Sequence, residues 1–418
     1  MTRRPAEPAA PAAPAAPAAP AQLADSFRAL LRSPSTGGEL HWAEPYVLTD
    51  GESLWPCLEG IPYLRLGRDS LRAAAVAAIR AGDLPGALAM LLCDRKDDTI
   101  PPADPAAVRA LVDGAGTAAE AMAALGYGGL APYFLHRWCQ PTYLSGLALL
   151  EEHAPAGGTL FEVGCGAGHF LRTWLERSGP AIGSDLVFSH LWLARVFVAP
   201  RAHLVCFDAE GSFPLADGAA QVALSHDSFH YFRDKGHVLD ELLRIGGTGP
   251  VLLGHVHNAS YDNFSAGLPL PTDGYTATVD PDLCYDDAAL TTAALDGRTA
   301  SPQSAEELRE VAALAFACRT TGSPAVPGKL TDPVPGRLTS PLPGRPLTVN
   351  PLLGDHGPRW PDEKFAREFT DGWSYLRDLA RPDEATVTAA RAGLVDRDPE
   401  VARLAARRVF LDLPESWI

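Results

Sequence analysis

An α/β fold built on a doubly wound, mainly parallel seven-stranded sheet is what this sequence predicts, on three observations. Short apolar runs alternate with helix-periodic stretches from Thr159 to Val256, the order that right-handed strand–helix–strand crossovers produce. The first run ends in Glu162-Val163 and flows into Gly164-Cys165-Gly166-Ala167-Gly168, a tight turn from a buried strand into a helix. Two further acids then repeat at one spacing, Asp185 standing 23 residues after Glu162 and Asp208 another 23 after Asp185. Each interval is about one strand–helix unit.

Composition bounds the partners. The 418 residues carry 35 Lys and Arg against 51 Asp and Glu, a formal net charge of −16, and show no basic stripe, which argues against nucleic acid or an anionic membrane. Seven scattered cysteines never form a C-x-x-C pair and read as free thiols in a reducing compartment. No apolar run is long enough to span a bilayer, and Met1-Thr2-Arg3-Arg4 leads into Pro and Ala repeats rather than an apolar core, so a cytoplasmic protein is expected.

The elements follow in order. Residues 1–21 repeat Pro-Ala-Ala, which buries no core and predicts a disordered tail. Residues 22–68 contain Leu30-Leu31-Arg32-Ser33-Pro34-Ser35-Thr36-Gly37-Gly38-Glu39-Leu40 and Trp55-Pro56-Cys57-Leu58-Glu59-Gly60-Ile61-Pro62-Tyr63-Leu64, a pattern that resembles the zinc-ribbon-like domains of the methyltransferase-activator type. The resemblance puts Ser33 and Thr36 where a C-P-x-C knuckle holds its metal. Hydroxyls do not serve as structural zinc ligands and a second cysteine pair is missing, so a metal-free remnant is expected, with Cys57 packing at an apolar position. Residues 69–153 turn Ala- and Leu-rich with helical spacing, broken at Asp83-Leu84-Pro85-Gly86 and Thr99-Ile100-Pro101-Pro102, and predict a helical lobe.

The core domain is expected over 154–352. Strands are predicted at Thr159 to Val163, Pro180 to Ser184, Leu204 to Phe207, Ala219 to Leu224 and Pro250 to Val256, with helices over Gly168 to Arg177, Phe188 to Val198 and Lys235 to Arg244. Ser304-Ala305-Glu306-Glu307 carries capping-box spacing and predicts a further helix, Ala315 to Cys318 a sixth strand, and Arg345 to Asn350 a seventh. The stretch near 257–300, with Asn258, Asn263 and several acids among Pro and Gly turns, reads as an inserted lid or acceptor pocket. Residues 353–418, with Trp360, Trp373 and Tyr375, predict a C-terminal helical extension that is either a packing clamp or a homodimerisation element.

Gly164-x-Gly166-x-Gly168 lacks the third glycine of a dinucleotide fingerprint, since His169 stands three residues after Gly166. Together with the ordered acids, it resembles the first motif of class I S-adenosylmethionine-dependent methyltransferases, a Rossmann-like family. The resemblance implies S-adenosylmethionine as cofactor, bound by Glu162, Gly164, Cys165, Gly166 and Gly168 at the first strand. It also implies roles for Asp185 and Leu186 at the ribose hydroxyls, Asp208 and Ala209 at the adenine, and Ser225 after the fourth strand. Tyr133 and Arg137, just upstream of the first strand, are candidates to touch the methionine end or the acceptor, or else to pack the helical lobe. The family's acid at the start of the fourth strand is replaced here by Gln221.

The acceptor side is expected in Leu224-Ser225-His226-Asp227-Ser228-Phe229-His230-Tyr231, because strand ends at the carboxyl edge open into the ligand crevice. His226 and Asp227 are placed beside the transferred methyl and His230 is the candidate base, although displacement from a sulfonium needs alignment more than a base. His255 and His257 fall on alternate sides of a regular fifth strand, and with Asp262 they match no standard metal spacing, so no metal is expected. The sequence therefore predicts methyl transfer to a small-molecule or short-peptide acceptor, with a catalytically silent adaptor on the same fold as the rival.

Overall fold

The computed structural model describes residues 22–97, 100, 103–114, 116–262, 267–318, 336–369 and 381–418. The tail expected over 1–21, Thr99, Pro101 and Pro102 of the second helical break, Asn263, Trp373 and Tyr375 lie outside the described residues.

A short helix α1 (Asp25–Arg28) precedes a four-stranded antiparallel sheet, β1 (His41–Glu44), β2 (Val47–Thr49), β3 (Leu54–Leu58) and β4 (Ile61–Pro62), in sequential order. At the two positions where a zinc knuckle would hold metal, hydroxyls meet a carboxylate. Ser33 Oγ donates to Asp50 Oδ2, as does Thr36 Oγ1 at 3.4 Å, while Asp50 Oδ1 accepts from the amides of Glu52 and Ser53 at 3.0 and 2.7 Å. Cys57 is buried in the apolar core that joins this sheet to the main one. Just past β4, Tyr63 bridges Cys206 in parallel and the Leu64 amide donates to the Cys206 carbonyl at 2.7 Å. The N-terminal unit thereby covers one edge of the main sheet, which would otherwise present unpaired backbone groups.

Helices α2 (Asp69–Arg80), α3 (Leu84–Leu92), α4 (Pro105–Asp113), α5 (Ala118–Ala124), α6 (Ala131–Leu135) and α7 (Pro141–His153) make up the region expected to be helical. The Asp83-Leu84-Pro85-Gly86 break is a helix start: Asp83 accepts from the Gly86 amide and Pro85 sits in the first turn, where its missing N–H costs nothing.

The main sheet comprises β5 (Leu160–Val163), β6 (Ala181–Asp185), β7 (His203–Cys206), β8 (Val222–His226), β9 (Val251–His257), β10 (Leu283–Asp286) and β11 (Ala313–Cys318). Helices α8 (His169–Arg177), α9 (Phe188–Leu193), α10 (Lys235–Gly246), α11 (Thr272–Val279) and α12 (Asp287–Leu295) connect them, α9 running on into a π-helical turn over Ala194–Val198. Strand order is β10-β11-β9-β8-β5-β6-β7; the five strands from β5 to β9 are mutually parallel and β11 alone runs antiparallel to its neighbours. From β5 the chain winds one way through β6 and β7 and then the other through β8 and β9, so the switch point lies between β5 and β8. A crevice at the carboxyl ends of those strands is the consequence. Gln221, replacing the expected acid before β8, accepts from the Thr159 amide at 2.8 Å and ties β8 to the start of β5.

Three expectations are corrected. The stretch near 257–300 is not an inserted lid: its α11, β10 and α12 complete the main sheet, with β10 as the true sixth strand. Only Tyr285 of β10 is fully buried, which left too short an apolar run to read. Ala315 to Cys318 is accordingly part of the seventh strand, and Arg345 to Asn350 supplies only β12 (Thr348–Val349) of a separate ribbon. The helix expected from Ser304 forms its capping bonds to Glu307 but continues as turns over 305–310. Side chains take the carbonyls that would propagate it: Asn258 Nδ2 donates to Arg309 and Val311, and Thr272 Oγ1 to Leu308.

The C-terminal stretch adds hairpin strands β13 (Leu353–Gly354) and β14 (Gly357–Pro358), helices α13 (Glu363–Phe369), α14 (Glu384–Arg391) and α15 (Pro399–Ala406), and β15 (Phe410–Leu411), which pairs antiparallel with β12. It has its own apolar core around Leu352, Val401 and Leu404. No helix among the described residues is long and apolar enough to cross a membrane.

Candidate cofactor and acceptor site

A crevice of about 750 Å³ opens at the carboxyl ends of β5, β6 and β8. Its floor is the glycine turn after β5. Gly164 and Gly166 hold φ of +70° and +53°, and a Cβ on Gly166 would stand 2.7 Å from the Phe134 ring, so both conformation and space require glycine there. Gly168, at +81°, begins α8 and packs on Ala194 rather than lining the crevice.

The three spaced acids converge. Glu162, Asp185 and Asp208 all line the crevice, from β5, the end of β6 and the turn after β7. Glu162 is buried and its Oε2 has no hydrogen-bond partner among the described residues, and burial pushes its carboxyl well above the usual range, only partly opposed by Arg137. Asp185 is also surrounded, and burial alone would raise it. His190 and the Val187 and Gly166 amides, the last two at 2.8 and 3.0 Å, instead hold the carboxylate below its ordinary range. Oδ1 meets both the Val187 amide and His190 Nδ1, whereas Oδ2 meets the Gly166 amide and keeps a lone pair for a ligand hydroxyl. Cys165, Leu186 and Ala209 line the same crevice as expected.

Tyr133 and Arg137 reach it from α6 and the turn that follows. Tyr133 OH donates to Asp227 Oδ2 at 2.5 Å, and Arg137 Nη1 lies 3.2 Å from the same oxygen. Arg137 also donates to Gln140 and Thr142 at 2.6 Å each and from Nη2 to His226 Nδ1 at 3.1 Å. Because a guanidinium only donates, His226 accepts at Nδ1, and burial beside this cation pulls it down to about 3. Glycines make room for the His226 ring: a Cβ on Gly146 or Gly254 would stand 2.6 or 2.5 Å from it.

Of the residues expected here, His226 and Asp227 line the crevice, whereas His230 and Ser225 do not. Ser225 is buried with its hydroxyl 2.8 Å from that of Ser228, and Ser228 faces the crevice in its place. His230 lies behind the wall, stacked on His257 with ring centroids 4.0 Å apart, and burial with its histidine neighbour pulls it down to about 3.

His255 and His257 do not diverge as a regular strand would require. His255 sits at φ +46°, where β9 spends two residues, Gly254 and His255, opposite one of β11, and the two Nε2 atoms end 3.3 Å apart. His255 Nδ1 contacts Asp287 Oδ2 at 2.9 Å, and that carboxylate and Asp227 outweigh burial to raise the imidazole. Asp262 is exposed and stands apart from this group.

Sequence reasoning missed two walls. Asp362, Lys364, Phe365 and Glu368 of α13 and the turn before it close one side, 130 residues or more beyond β8 and without any motif to announce them. Phe134, His169 and His190 form an aromatic wall: His169 Nε2 contacts the Phe134 carbonyl at 3.0 Å and its ring meets Trp138 at 4.3 Å and Trp417 at 5.6 Å. Trp417 is itself buried, donating to the Leu135 carbonyl at 2.9 Å.

Residues 161–252 match the family model described as a methyltransferase domain. Among solved structures, a Bacillus halodurans protein assigned as a methyltransferase is 19% identical over 28% of this chain and 52% of its own, with a TM-score of 0.25. The complex of the Haloferax volcanii Trm112 methyltransferase activator with its assigned methyltransferase gives 18% identity over 39% of this chain and 73% of that one, at TM-score 0.30. A Methanococcus maripaludis protein assigned as an S-adenosylmethionine-dependent methyltransferase gives 18%, 29%, 57% and 0.25 respectively. The chain thus spans about half the length of the first of these, and at such scores the fold assignment stands instead on the strand order. No curated protein matches the chain in sequence. The strand order and the matched domain make this a class I, Rossmann-like α/β fold, and its implied cofactor, S-adenosylmethionine, fits a crevice with an unpartnered buried carboxyl oxygen and a glycine floor.

Proposed function

We propose that this chain transfers a methyl group from S-adenosylmethionine to a small-molecule or short-peptide acceptor, releasing S-adenosylhomocysteine. The observation that carries the reading is the convergence of Glu162, Asp185 and Asp208, from three adjacent parallel strands, on one crevice floored by a glycine turn. In this reading Glu162 takes the methionine ammonium, Asp185 the ribose hydroxyls and Asp208 the adenine amino group, each an acceptor facing a donor. The cofactor supplies a methyl on a sulfonium, ready for in-line displacement.

The protein's own work is alignment and exclusion of water. Tyr133 hydrogen-bonds Asp227 at 2.5 Å and Arg137 ion-pairs with the same carboxylate oxygen at 3.2 Å, presenting a fixed polar wall in the crevice that the glycine turn floors. Phe365 and Glu368 of α13 also line the crevice, Glu368 within electrostatic reach of Asp227 and Arg137. His226 and His230, both pulled down to about 3, are weak bases at neutral pH, so the reading gives neither of them the acceptor's proton.

The test is calorimetric titration of the purified chain and of Asp185→Ala with S-adenosylhomocysteine. Saturable binding weakened at least about tenfold by the substitution, the worth of one charge-assisted hydrogen bond, supports the reading. Equal affinity removes Asp185 from the ribose. No binding to either protein favours the silent adaptor, with a protein partner in place of an acceptor.

A further inference from the structure

We infer that Asp227, His230 and His257 form a binding site for a divalent first-row transition metal ion in the wall of the crevice. One carboxylate oxygen of Asp227 and one ring nitrogen from each histidine lie within 4.8 Å of one another. Two ligands of one ion stand about 3–4 Å apart, so side-chain rotations of an ångström or so bring the three together. Two imidazoles and a carboxylate on one face of an ion leave its other positions open, the donor set that suits iron, manganese or zinc.

Three features of the surroundings point to a ligand here. His230 is fully buried, yet neither of its ring nitrogens has a hydrogen-bond partner among the described residues. A Cβ at Gly267 would stand 2.9 Å from its ring, which stacks on that of His257 at an interplanar angle of 8°, so one imidazole must turn for a shared ion to lie in both ring planes. Asp227 spends Oδ2 on Tyr133 and Arg137, which leaves Oδ1 for the ion. Behind His257, the His255–Asp287 pair forms the outer support that metal-bound histidines commonly have, with His255 Nε2 3.3 Å from His257 Nε2 and Nδ1 2.9 Å from the carboxylate.

The backbone is shaped to assemble this group. Asp227 and His255 both adopt positive φ, +56° and +46°, although neither is glycine, and the bulge at His255 is what turns His255 and His257 toward each other. Asp227 lines the crevice while His230 lies behind it, so the open positions of the ion face the acceptor. An ion there, beside the Arg137 guanidinium, selects an acceptor bearing an anionic oxygen and lowers the pKa of a hydroxyl bound to it. This acceptor role rests on the methyl-transfer reading; the metal site itself does not.

The test uses the full, tag-free chain after treatment with a chelator, titrated with zinc alone and with cobalt alone. We expect a single equivalent of zinc, visible d–d absorption from cobalt, and at least about 100-fold weaker binding in His230→Ala and in His257→Ala. Asp287→Asn weakens it by about 10–100-fold, as the loss of an outer partner does. All three variants retain S-adenosylhomocysteine binding, which shows that they fold. Absence of saturable metal binding to the unsubstituted chain, or equal affinity in both histidine variants, overturns the proposal. Metal binding without S-adenosylhomocysteine binding in the unsubstituted chain would sustain the metal site and withdraw the methyl-transfer reading.

Discussion

Glu162 and Arg137 share one buried wall of the crevice, yet Arg137 ion-pairs with Asp227 and hydrogen-bonds Gln140, Thr142 and His226, leaving Glu162 Oε2 without a partner among the described residues. Burial raises this carboxyl despite the Arg137 charge, and a further cation bound beside it would lower it.

Glu162→Gln therefore separates stability from binding. A carboxyl with a raised folded pKa contributes stability that is complete below its unfolded pKa and is lost as pH rises through the folded value. The ligand-free variant should accordingly melt higher than the parent, by a margin that widens with pH. It should bind S-adenosylhomocysteine about 10–100-fold more weakly, the worth of a charged hydrogen bond. Titrations of the parent in buffers of different ionisation enthalpy should register proton release on binding.

Gly166→Ala forces a Cβ to 2.7 Å from Phe134 at a φ of +53°. The strain is about 1–2 kcal/mol, and relief by moving Phe134 disturbs the aromatic wall. Affinity for S-adenosylhomocysteine should fall by more than tenfold while the thermal midpoint drops only a few degrees; isothermal titration and differential scanning calorimetry on one preparation check both.

Acid should unfold the protein early. Burial holds His169, His226 and His230 at about 3 and His136 and His257 at about 4, against an ordinary 6.5. A base with a depressed folded pKa adds stability that is full above its unfolded pKa and is lost as pH falls through the folded one. Each imidazole kept neutral costs up to about 1.4 kcal/mol per pH unit below 6.5. Urea midpoints measured between pH 7 and pH 5 should fall steeply, and less so in His169→Phe.

Asp50→Ala removes the acceptor that joins the Ser33–Thr36 turn to the Glu52–Ser53 turn. A loss of about 1–2 kcal/mol is expected. Ser33→Ala in the same background should add less than it costs alone, because the bond to Asp50 is already gone, but more than nothing, because Ser33 Oγ also accepts from the Ser35 and Thr36 amides at 3.1 and 3.2 Å; denaturant melts of the single and double variants check this.

The parallel half of the sheet was legible because β5 to β9 each carry a short apolar run, and β5 to β8 end at or lead into acids or glycines. For the same reason Glu162, Asp185 and Asp208 could be expected to meet at one crevice before any geometry was known. The antiparallel end was not legible. The β10 strand is four residues at a sheet edge, and its neighbour β11 drew its helix-like preamble from Ser304, whose local capping bonds form but lose to the long-range claims of Asn258 and Thr272. The histidine group was hidden by one residue: period-two reasoning sends His255 and His257 apart, and a bulge registers in no composition or spacing rule.

Trp417 closes a stack that runs through Trp138 and His169 to Phe134 at the glycine turn. The binding wall is thus finished by a residue that leaves the ribosome more than two hundred positions after the motif it supports. A nascent chain that has already paired β5 with β6 and β8 still lacks the indole beneath His169, so competence to grip a ligand arrives as a late event of synthesis, after the sheet itself has formed.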